Sequence, residues 1–185
     1  MSLKRFEFAK PMDGFIYELS RGFIVVSEVP NFVHAMQVTA VREPLIDYKL
    51  RHSKVIYAIL GTMECKLLVS DLESERHPDL AVYLTPPLQK RGRKVWRGWI
   101  PEIVVEVVSE SSSDRYYTLK REEYWTLGVK EYWIVDAERG QILVLRRGRG
   151  QWSESKLGRA DVLETKLLPG FRLPCRKVLD LASEE

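Results

Sequence analysis

The sequence PEIVVEVVSESSSDRYYTLKREEYWTLGVKEYWIVD, residues 101–136, contains the pattern on which the fold assignment rests. Two short apolar segments, residues 102–109 and 131–136, flank a segment at residues 114–128 whose apolar side chains have helical spacing. The order strand, helix, strand favours a parallel pair of strands joined by a right-handed crossover. This unit predicts an α/β fold.

A carboxylate interrupts the first of these strands. Both faces of the strand are apolar, which predicts a central strand that is covered on both sides, with Ile103, Val105 and Val107 on one face and Val104 and Val108 on the other. Glu106 lies in the middle, where an unpaired charge is too costly to bury. Glu106 must therefore be paired, protonated or bound to a metal, and a structural ion pair explains it about as well as a functional role.

A lysine interrupts the helix. Asp114 or one of the serines 111–113 can cap this helix, and Gly128 can end it. One helical face combines apolar side chains with a single charge, in the series Tyr116, Lys120, Tyr124 and Leu127. A lysine in such a series often extends its amine to water. Because Lys120 and Glu106 both break the pattern of neighbouring elements, the sequence favours a joint role for them.

The composition is that of a globular protein, and we expect one domain over residues 1–185. Of these 185 residues, 45% are hydrophobic and 30% are charged, which excludes a disordered chain. The net charge of +3 is small, so an anionic partner must bind to a local cluster of basic residues. Cys65 and Cys175 have no metal-ligand spacing and predict packed thiols in a reducing compartment. Because the sequence contains no signal-like or membrane-spanning apolar run, we expect a soluble, cytoplasmic protein.

The remaining elements are predicted from apolar alternation and turn residues. We expect a hairpin at residues 15–19 and 23–27, and a helix over residues 32–52 that Pro44 interrupts or divides. Residues 55–60 and 65–70 are expected to form an antiparallel pair. Further strands are predicted at residues 80–84, 141–145 and 152–156, and residues 167–173 and a short helix at 178–182 close the domain. Asp79 precedes the strand at 80–84 and follows Pro78, where an aspartate is by itself an ordinary turn residue.

A basic segment precedes the central unit. Between residues 86 and 100, two tryptophans, Trp96 and Trp99, alternate with basic residues, namely Lys90, Arg91, Arg93, Lys94 and Arg97. Basic loops with interleaved aromatic residues suit phosphate backbones and base stacking. The alternative is a solvated surface segment whose tryptophans pack on the domain.

Several of these stretches together resemble a known family. The stretches are PDLAVYL at residues 78–84, PEIVVEVVS at 101–109, a lysine eleven positions beyond that serine, GVKEYWIVD at 128–136 and LPGFRL at 168–173. They resemble the Uma-type family of putative restriction endonucleases, which belongs to the PD-(D/E)XK nuclease superfamily. YELSRG at residues 17–22 and His34 are also similar to family features. The similarity covers a core of about residues 15–179 and implies a restriction-endonuclease-like mixed sheet with a βαβ core and flanking helices.

The resemblance also implies a set of site residues. Asp79 corresponds to the Asp of the PD motif and Glu106 to the acid of the (D/E)XK motif, whereas the position of the motif lysine is Val108. The helix lysine, Lys120, then takes the role of the motif lysine. The expected cofactor is Mg²⁺, with Mn²⁺ as a substitute. It would be bound by Asp79, Glu106 and the backbone carbonyl of Val107, with Glu18 as an auxiliary acid near the metal and His34 at the rim.

The implied activity is metal-assisted hydrolysis of phosphodiester bonds in DNA. Two other functions stay open. The first is a non-catalytic DNA-binding or regulatory module that retains the nuclease fold. The second is a structural or interaction protein in which Glu106 and Lys120 form a buried ion pair. Nucleases that cut both strands often act as symmetric dimers, and Trp96, Trp99 or the terminal hairpin could supply the interface of such a homodimer.

Overall fold

The structure is a computed structural model that describes residues 1–10, 12–88, 93–108 and 115–183. The helices are α1 (Leu3–Phe6), α2 (Phe32–Arg51), α3 (Lys120–Leu127) and α4 (Arg176–Leu179). The strands are β1 (Phe15–Ser20), β2 (Phe23–Glu28), β3 (Ala58–Gly61), β4 (Leu67–Val69), β5 (Ser74–Arg76), β6 (Leu80–Tyr83), β7 (Ile103–Val107), β8 (Glu131–Asp136), β9 (Gln141–Arg147), β10 (Trp152–Gly158), β11 (Val162–Leu163) and β12 (Leu173–Pro174). Within the described ranges, no helix is both long enough and apolar enough to cross a membrane.

The main sheet contains six strands in the order β10-β9-β8-β7-β6-β3. β7 and β8 are parallel, and the other neighbouring strands are antiparallel. A π-helical turn, Arg115–Leu119, and α3 connect the two parallel strands, and α3 ends at Gly128, which has a φ of +94°. The prediction of an α/β fold with a mixed sheet and a central βαβ unit is therefore confirmed. The predicted capping residues 111–114 lie outside the described part of the chain.

The second sheet has the order β2-β1-β5-β4. The predicted N-terminal hairpin is confirmed as β1 and β2, and the terminal hairpin as β9 and β10. The predicted pairing of residues 55–60 with residues 65–70 is wrong, because β3 pairs with β6 in the main sheet whereas β4 pairs with β5 in the second sheet. The partner of β4 is a three-residue strand, Ser-Glu-Arg, which has no apolar signal in the sequence.

The main sheet is covered on both faces. One face packs against α2 and α4, and the other packs against α3 and β4 of the second sheet. The predicted alternation along β7 is confirmed, since Ile103, Val105 and Val107 belong to the first core and Val104 belongs to the second. Glu106 consequently points toward the layer that contains α3.

Helix α2 is continuous, so the prediction that Pro44 interrupts or divides it is wrong. Proline removes one backbone hydrogen bond from a helix interior. Here Val41 and Leu45 are buried on either side of Pro44, and their packing against the main sheet holds the two halves of the helix in line. At the start of α2, the side chain of Asn31 accepts a hydrogen bond from the backbone N–H of His34 at 2.9 Å. This cap fixes His34 in the first turn.

Both cysteines are free thiols in the core. Burial raises the pKa of the Cys65 thiol to about 12, and burial also raises the pKa of Cys175. Because the thiolate is the reactive species, we expect neither cysteine of the native protein to react with Ellman's reagent at pH 8. In guanidinium chloride, both thiols are expected to react. A native thiol that reacts at the rate of free cysteine would contradict the packing described here.

Candidate active site

Asp79 and Glu106 lie side by side at one edge of the main sheet. In the antiparallel pair of β6 and β7, Leu80 is opposite Val105, so the next position along the register places Asp79 opposite Glu106. Directly opposed residues project to the same face of a sheet. Asp79 is fixed by the neighbouring strand, because its Oδ2 accepts a hydrogen bond from the backbone N–H of Val107 at 2.8 Å. The two carboxylates therefore face the same side of the molecule.

His34 approaches this pair from the first turn of α2. Its Nε2 lies 3.3 Å from Oδ2 of Asp79, and the backbone of Val107 also helps to raise the pKa of the imidazole. The imidazole therefore lies beside the Asp79 carboxylate and close to the backbone of Val107. These are two of the three groups that the sequence resemblance implies as metal ligands.

Lys120 approaches the same pair from the first residue of α3. Its Nζ donates a hydrogen bond to Oε1 of Glu106 at 2.8 Å and lies 3.5 Å from Oε1 of Glu18. The phenolic O–H of Tyr124, one helical turn later, donates to the same oxygen of Glu106. Glu106 and Lys120 have relative exposures of 1% and 3%, so this contact is inside the protein. The predicted association between the strand carboxylate and the helix amine is present.

Glu18 reaches the site from β1 of the second sheet. It belongs to a hydrogen-bonded group whose other members, Arg76 and Glu123, the sequence analysis did not identify. Its Oε2 accepts a hydrogen bond from Arg76 at 3.2 Å, and Arg76 also donates to Glu123 of α3 at 3.0 Å. Arg76 and Glu123 are completely buried. Two features of the sequence could have indicated these residues. Arg76 lies three residues before Asp79, and Glu123 lies on the helical face of Lys120.

The charges of the site act on one another. Burial raises the pKa of Glu106 to about 7; Lys120 opposes this rise, and the carboxylates of Asp79 and Glu18 add to it. At Glu18, burial also favours a higher pKa, but Lys120 and Arg76 outweigh burial and lower it. Burial lowers the pKa of His34, but the hydrogen bond and charge of Asp79 outweigh burial and raise it. A further cation beside Asp79 and Glu106 would thus relieve carboxylate repulsion.

The donor atoms of this site suit a hard divalent cation. Among the residues that the structure describes, no group of three His, Cys, Asp or Glu side chains is arranged to hold a metal ion. Mg²⁺ does not need such a cage, since it binds through one or two carboxylates and retains several waters. Asp79, Glu106 and the carbonyl of Val107 supply oxygen atoms only, which fits Mg²⁺ or Mn²⁺ better than a softer metal.

The predicted nucleic-acid-binding residues are described only in part. Lys90 and Arg91, together with the side chains of Arg93 and Lys94, lie outside the described residues. Arg97 is exposed, and its guanidinium lies 3.7 Å from the Glu7 carboxylate in the N-terminal segment. The structure therefore does not bring Arg97 into the group formed by Asp79, Glu106 and Lys120.

The tryptophans beside this basic segment pack on the domain. Trp99 stacks on Tyr83 with ring centroids 3.8 Å apart, and its indole N–H donates to the backbone carbonyl of Thr85 at 2.8 Å. Trp96 stacks on Trp99 with centroids 5.8 Å apart. The two tryptophans therefore pack on the domain, and the role of the basic side chains stays a prediction.

Comparison with known proteins identifies the same family as the sequence motifs. Residues 6–176 match Uma2, a family described as "putative restriction endonuclease". The chain belongs to this family. Membership in the Uma2 family supports a nuclease function in general terms, and it agrees with the resemblance found from the sequence motifs. Among curated proteins, none matches the chain.

A solved structure shares the fold. The chain is similar to the crystal structure of a putative nuclease belonging to DUF820 from Anabaena variabilis, with a TM-score of 0.77 and 13% sequence identity over 98% of each chain. At this identity, the similarity shows the fold alone. The fold is thus shared with at least one solved structure.

Proposed function

We propose that this Uma2 protein is a Mg²⁺-dependent endonuclease that hydrolyses phosphodiester bonds in DNA. The observation that supports the proposal most strongly is the group formed by Asp79, Glu106 and Lys120. Asp79 directly precedes β6 and lies opposite Glu106 of the adjacent strand β7, and the Lys120 amine is 2.8 Å from Glu106. Their positions along the chain are far apart, so the fold alone brings them together at one edge of the sheet.

The carboxylates of Asp79 and Glu106 and the carbonyl of Val107 would hold the cation, with Mn²⁺ as a substitute. When bound, Mg²⁺ would act as a Lewis acid that lowers the pKa of a water molecule and offsets negative charge on the phosphate. The Val107 N–H keeps the Asp79 carboxylate in place through its 2.8 Å hydrogen bond. The phenolic O–H of Tyr124 likewise keeps the Glu106 carboxylate in place through a hydrogen bond. Burial raises the pKa of Tyr124 well above its usual value, so the phenol remains a donor.

Lys120 would act on the substrate rather than on the cation. An ammonium held beside a phosphodiester donates to a non-bridging oxygen and stabilises the charge that develops there. Glu106 and Glu18 hold the amine from two sides, so little reorganisation is needed when the phosphate arrives. The same amine can orient the attacking water. His34 lies at the rim, where its contact with Asp79 limits the movement of that carboxylate.

DNA is the proposed substrate because the basic segment provides the charge that phosphates require. Lys90, Arg91, Arg93, Lys94 and Arg97 precede β7, the strand that carries Glu106. Phosphate contacts by lysine and arginine make binding dependent on salt. A symmetric homodimer would give two such sites, one for each strand of a duplex.

Incubation with supercoiled, linear and single-stranded DNA tests the proposal. We expect nicked or linear products from DNA in Mg²⁺ or Mn²⁺, and no product in EDTA. Isothermal calorimetry without DNA is expected to detect binding of Mg²⁺, and this binding should be lost in Glu106→Gln. A protein that binds DNA but neither binds Mg²⁺ or Mn²⁺ nor cleaves would instead be the non-catalytic module. RNA of the same sequence serves as the test of substrate class.

A further inference from the structure

Arg76 is the centre of a buried network between the second sheet and α3. Its guanidinium donates to Glu18 at 3.2 Å, to Ser20 at 2.7 Å and to Glu123 at 3.0 Å. Ser74 adds a hydrogen bond to the same Glu123 oxygen at 2.9 Å. Arg76 has no exposed surface, and it touches none of the proposed cation ligands in these contacts. Its partners instead lie on the elements that surround Lys120.

The first connection to Lys120 passes through Glu18. The two oxygens of this carboxylate have different partners: Oε2 accepts from Arg76, whereas Oε1 accepts from the backbone N–H of His77 at 3.0 Å and lies 3.5 Å from Nζ of Lys120. With one oxygen fixed by Arg76, the other oxygen has a fixed position beside the amine. Arg76, Glu18 and Lys120 therefore form a continuous chain of charge contacts that ends at Glu106.

The second connection passes through α3 itself. Glu123 follows Lys120 by three residues, so the two side chains lie on the same face of the helix. Within the part of the chain that the structure describes, no side-chain hydrogen bond caps the start of α3, which directly follows the π-helical turn. The contact between Arg76 and Glu123 thus fixes the rotation of α3 about its axis near the residue that carries the amine.

We infer that Arg76 is a positioning residue for Lys120, which it holds against Glu106 through Glu18 and through Glu123. Its effect on cleavage rests on the proposed function, but its effect on the position of Lys120 does not. A buried ion pair contributes little net stability compared with well-packed apolar residues, so stability alone does not account for an arginine at this place. The need to orient the Lys120 amine accounts for the arginine.

The accessibility of the Lys120 amine to a chemical reagent tests this inference without a measurement of DNA cleavage. In the native protein, acetic anhydride is expected to modify Lys120 slowly, as measured by peptide mass spectrometry, because the side chain is buried. In Arg76→Lys, which keeps the charge but loses the forked geometry, we expect modification of Lys120 to be about tenfold faster through local opening. If Arg76→Lys does not fold, as judged by circular dichroism, Glu123→Gln takes its place with the same expectation.

The chain offers a matched control in Arg147. This arginine also binds α3, but at the opposite end, where it donates to the backbone carbonyls of Trp125 and Val129. Arg147→Lys is expected to leave the modification rate of Lys120 unchanged. Equal rates in Arg76→Lys and the native protein, or equal increases in both arginine variants, would overturn the inference.

A double-mutant cycle on cleavage tests the route through Glu18. Arg76→Lys is expected to lower kcat by about 100-fold, which is the effect of a small misplacement of a reacting group, while KM for DNA stays within about twofold. Glu18→Gln should lower kcat similarly, and the double variant should be no slower than the slower single variant. Losses that multiply would show that Arg76 does not act through Glu18. If the native protein cleaves nothing, the proposed function fails, and the modification rates still decide the role of Arg76.

Discussion

Asp79→Asn is expected to abolish DNA cleavage in Mg²⁺ while the chain stays folded. Asparagine has the same size as aspartate, and its amide oxygen can still accept the hydrogen bond from the Val107 N–H. The variant loses only the negative charge that faces Glu106 across the strand pair. Because this charge is proposed to hold the cation, we expect the rate of plasmid nicking to fall on the order of a thousandfold.

The measurement is the rate of conversion of supercoiled plasmid at saturating Mg²⁺, with thermal melting as the check on folding. Asp47→Asn is the matched control, since Asp47 is an exposed aspartate that pairs with Arg51 four residues later on α2. The control is expected to cleave at the native rate. An Asp79→Asn variant that nicks plasmid as fast as the control would remove Asp79 from the cation site.

The positions of Glu106 and Lys120 follow from local patterns that the sequence displays. Glu106 interrupts an apolar strand and Lys120 interrupts an apolar helix face, and each anomaly is visible within one element. The parallel pairing of β7 with β8 then determines the side of the sheet on which α3 lies, so a joint role was predictable. Asp79 has no such local signal, and only the resemblance to the Uma-type family pointed to it.

The contribution of the second sheet was not predictable in the same way. β5 is three residues long and entirely polar in sequence, yet Arg76 within it is buried because its charge is met by Glu18 and Glu123. These partners lie 58 and 47 residues away along the chain. Hydrophobic periodicity detects burial of apolar side chains, and it carries no information on polar side chains that are buried in mutual contact.

The contact between Lys120 and Glu106 is also what a purely structural ion pair would show. The two interpretations differ in what a divalent cation does to stability. In a metal site, Mg²⁺ binds the folded chain and stabilises it by an amount that grows with its concentration. In a structural ion pair, the lysine already neutralises the carboxylate, and Mg²⁺ has no differential affinity for the folded state.

Lys120→Met separates the two interpretations. Removal of one partner from a buried pair leaves Glu106 and Glu18 without their shared cation, so the free energy of unfolding in EDTA is expected to fall by about 3–5 kcal/mol. In Mg²⁺ the loss should be clearly smaller, because the cation replaces part of the missing positive charge. Urea unfolding in both conditions measures this difference.

The matched control for this comparison is Arg42→Met. Arg42 pairs with Glu64 at 2.7 Å on the surface, and an exposed pair of this kind contributes at most about 1 kcal/mol. Its small loss is expected to be the same in EDTA and in Mg²⁺, because neither partner belongs to the carboxylate group. If Mg²⁺ stabilised neither the native chain nor Lys120→Met against urea, Glu106 and Lys120 would be a structural pair. The fold would then carry no cation at this edge of the sheet, and the nuclease proposal would lose its chemical basis.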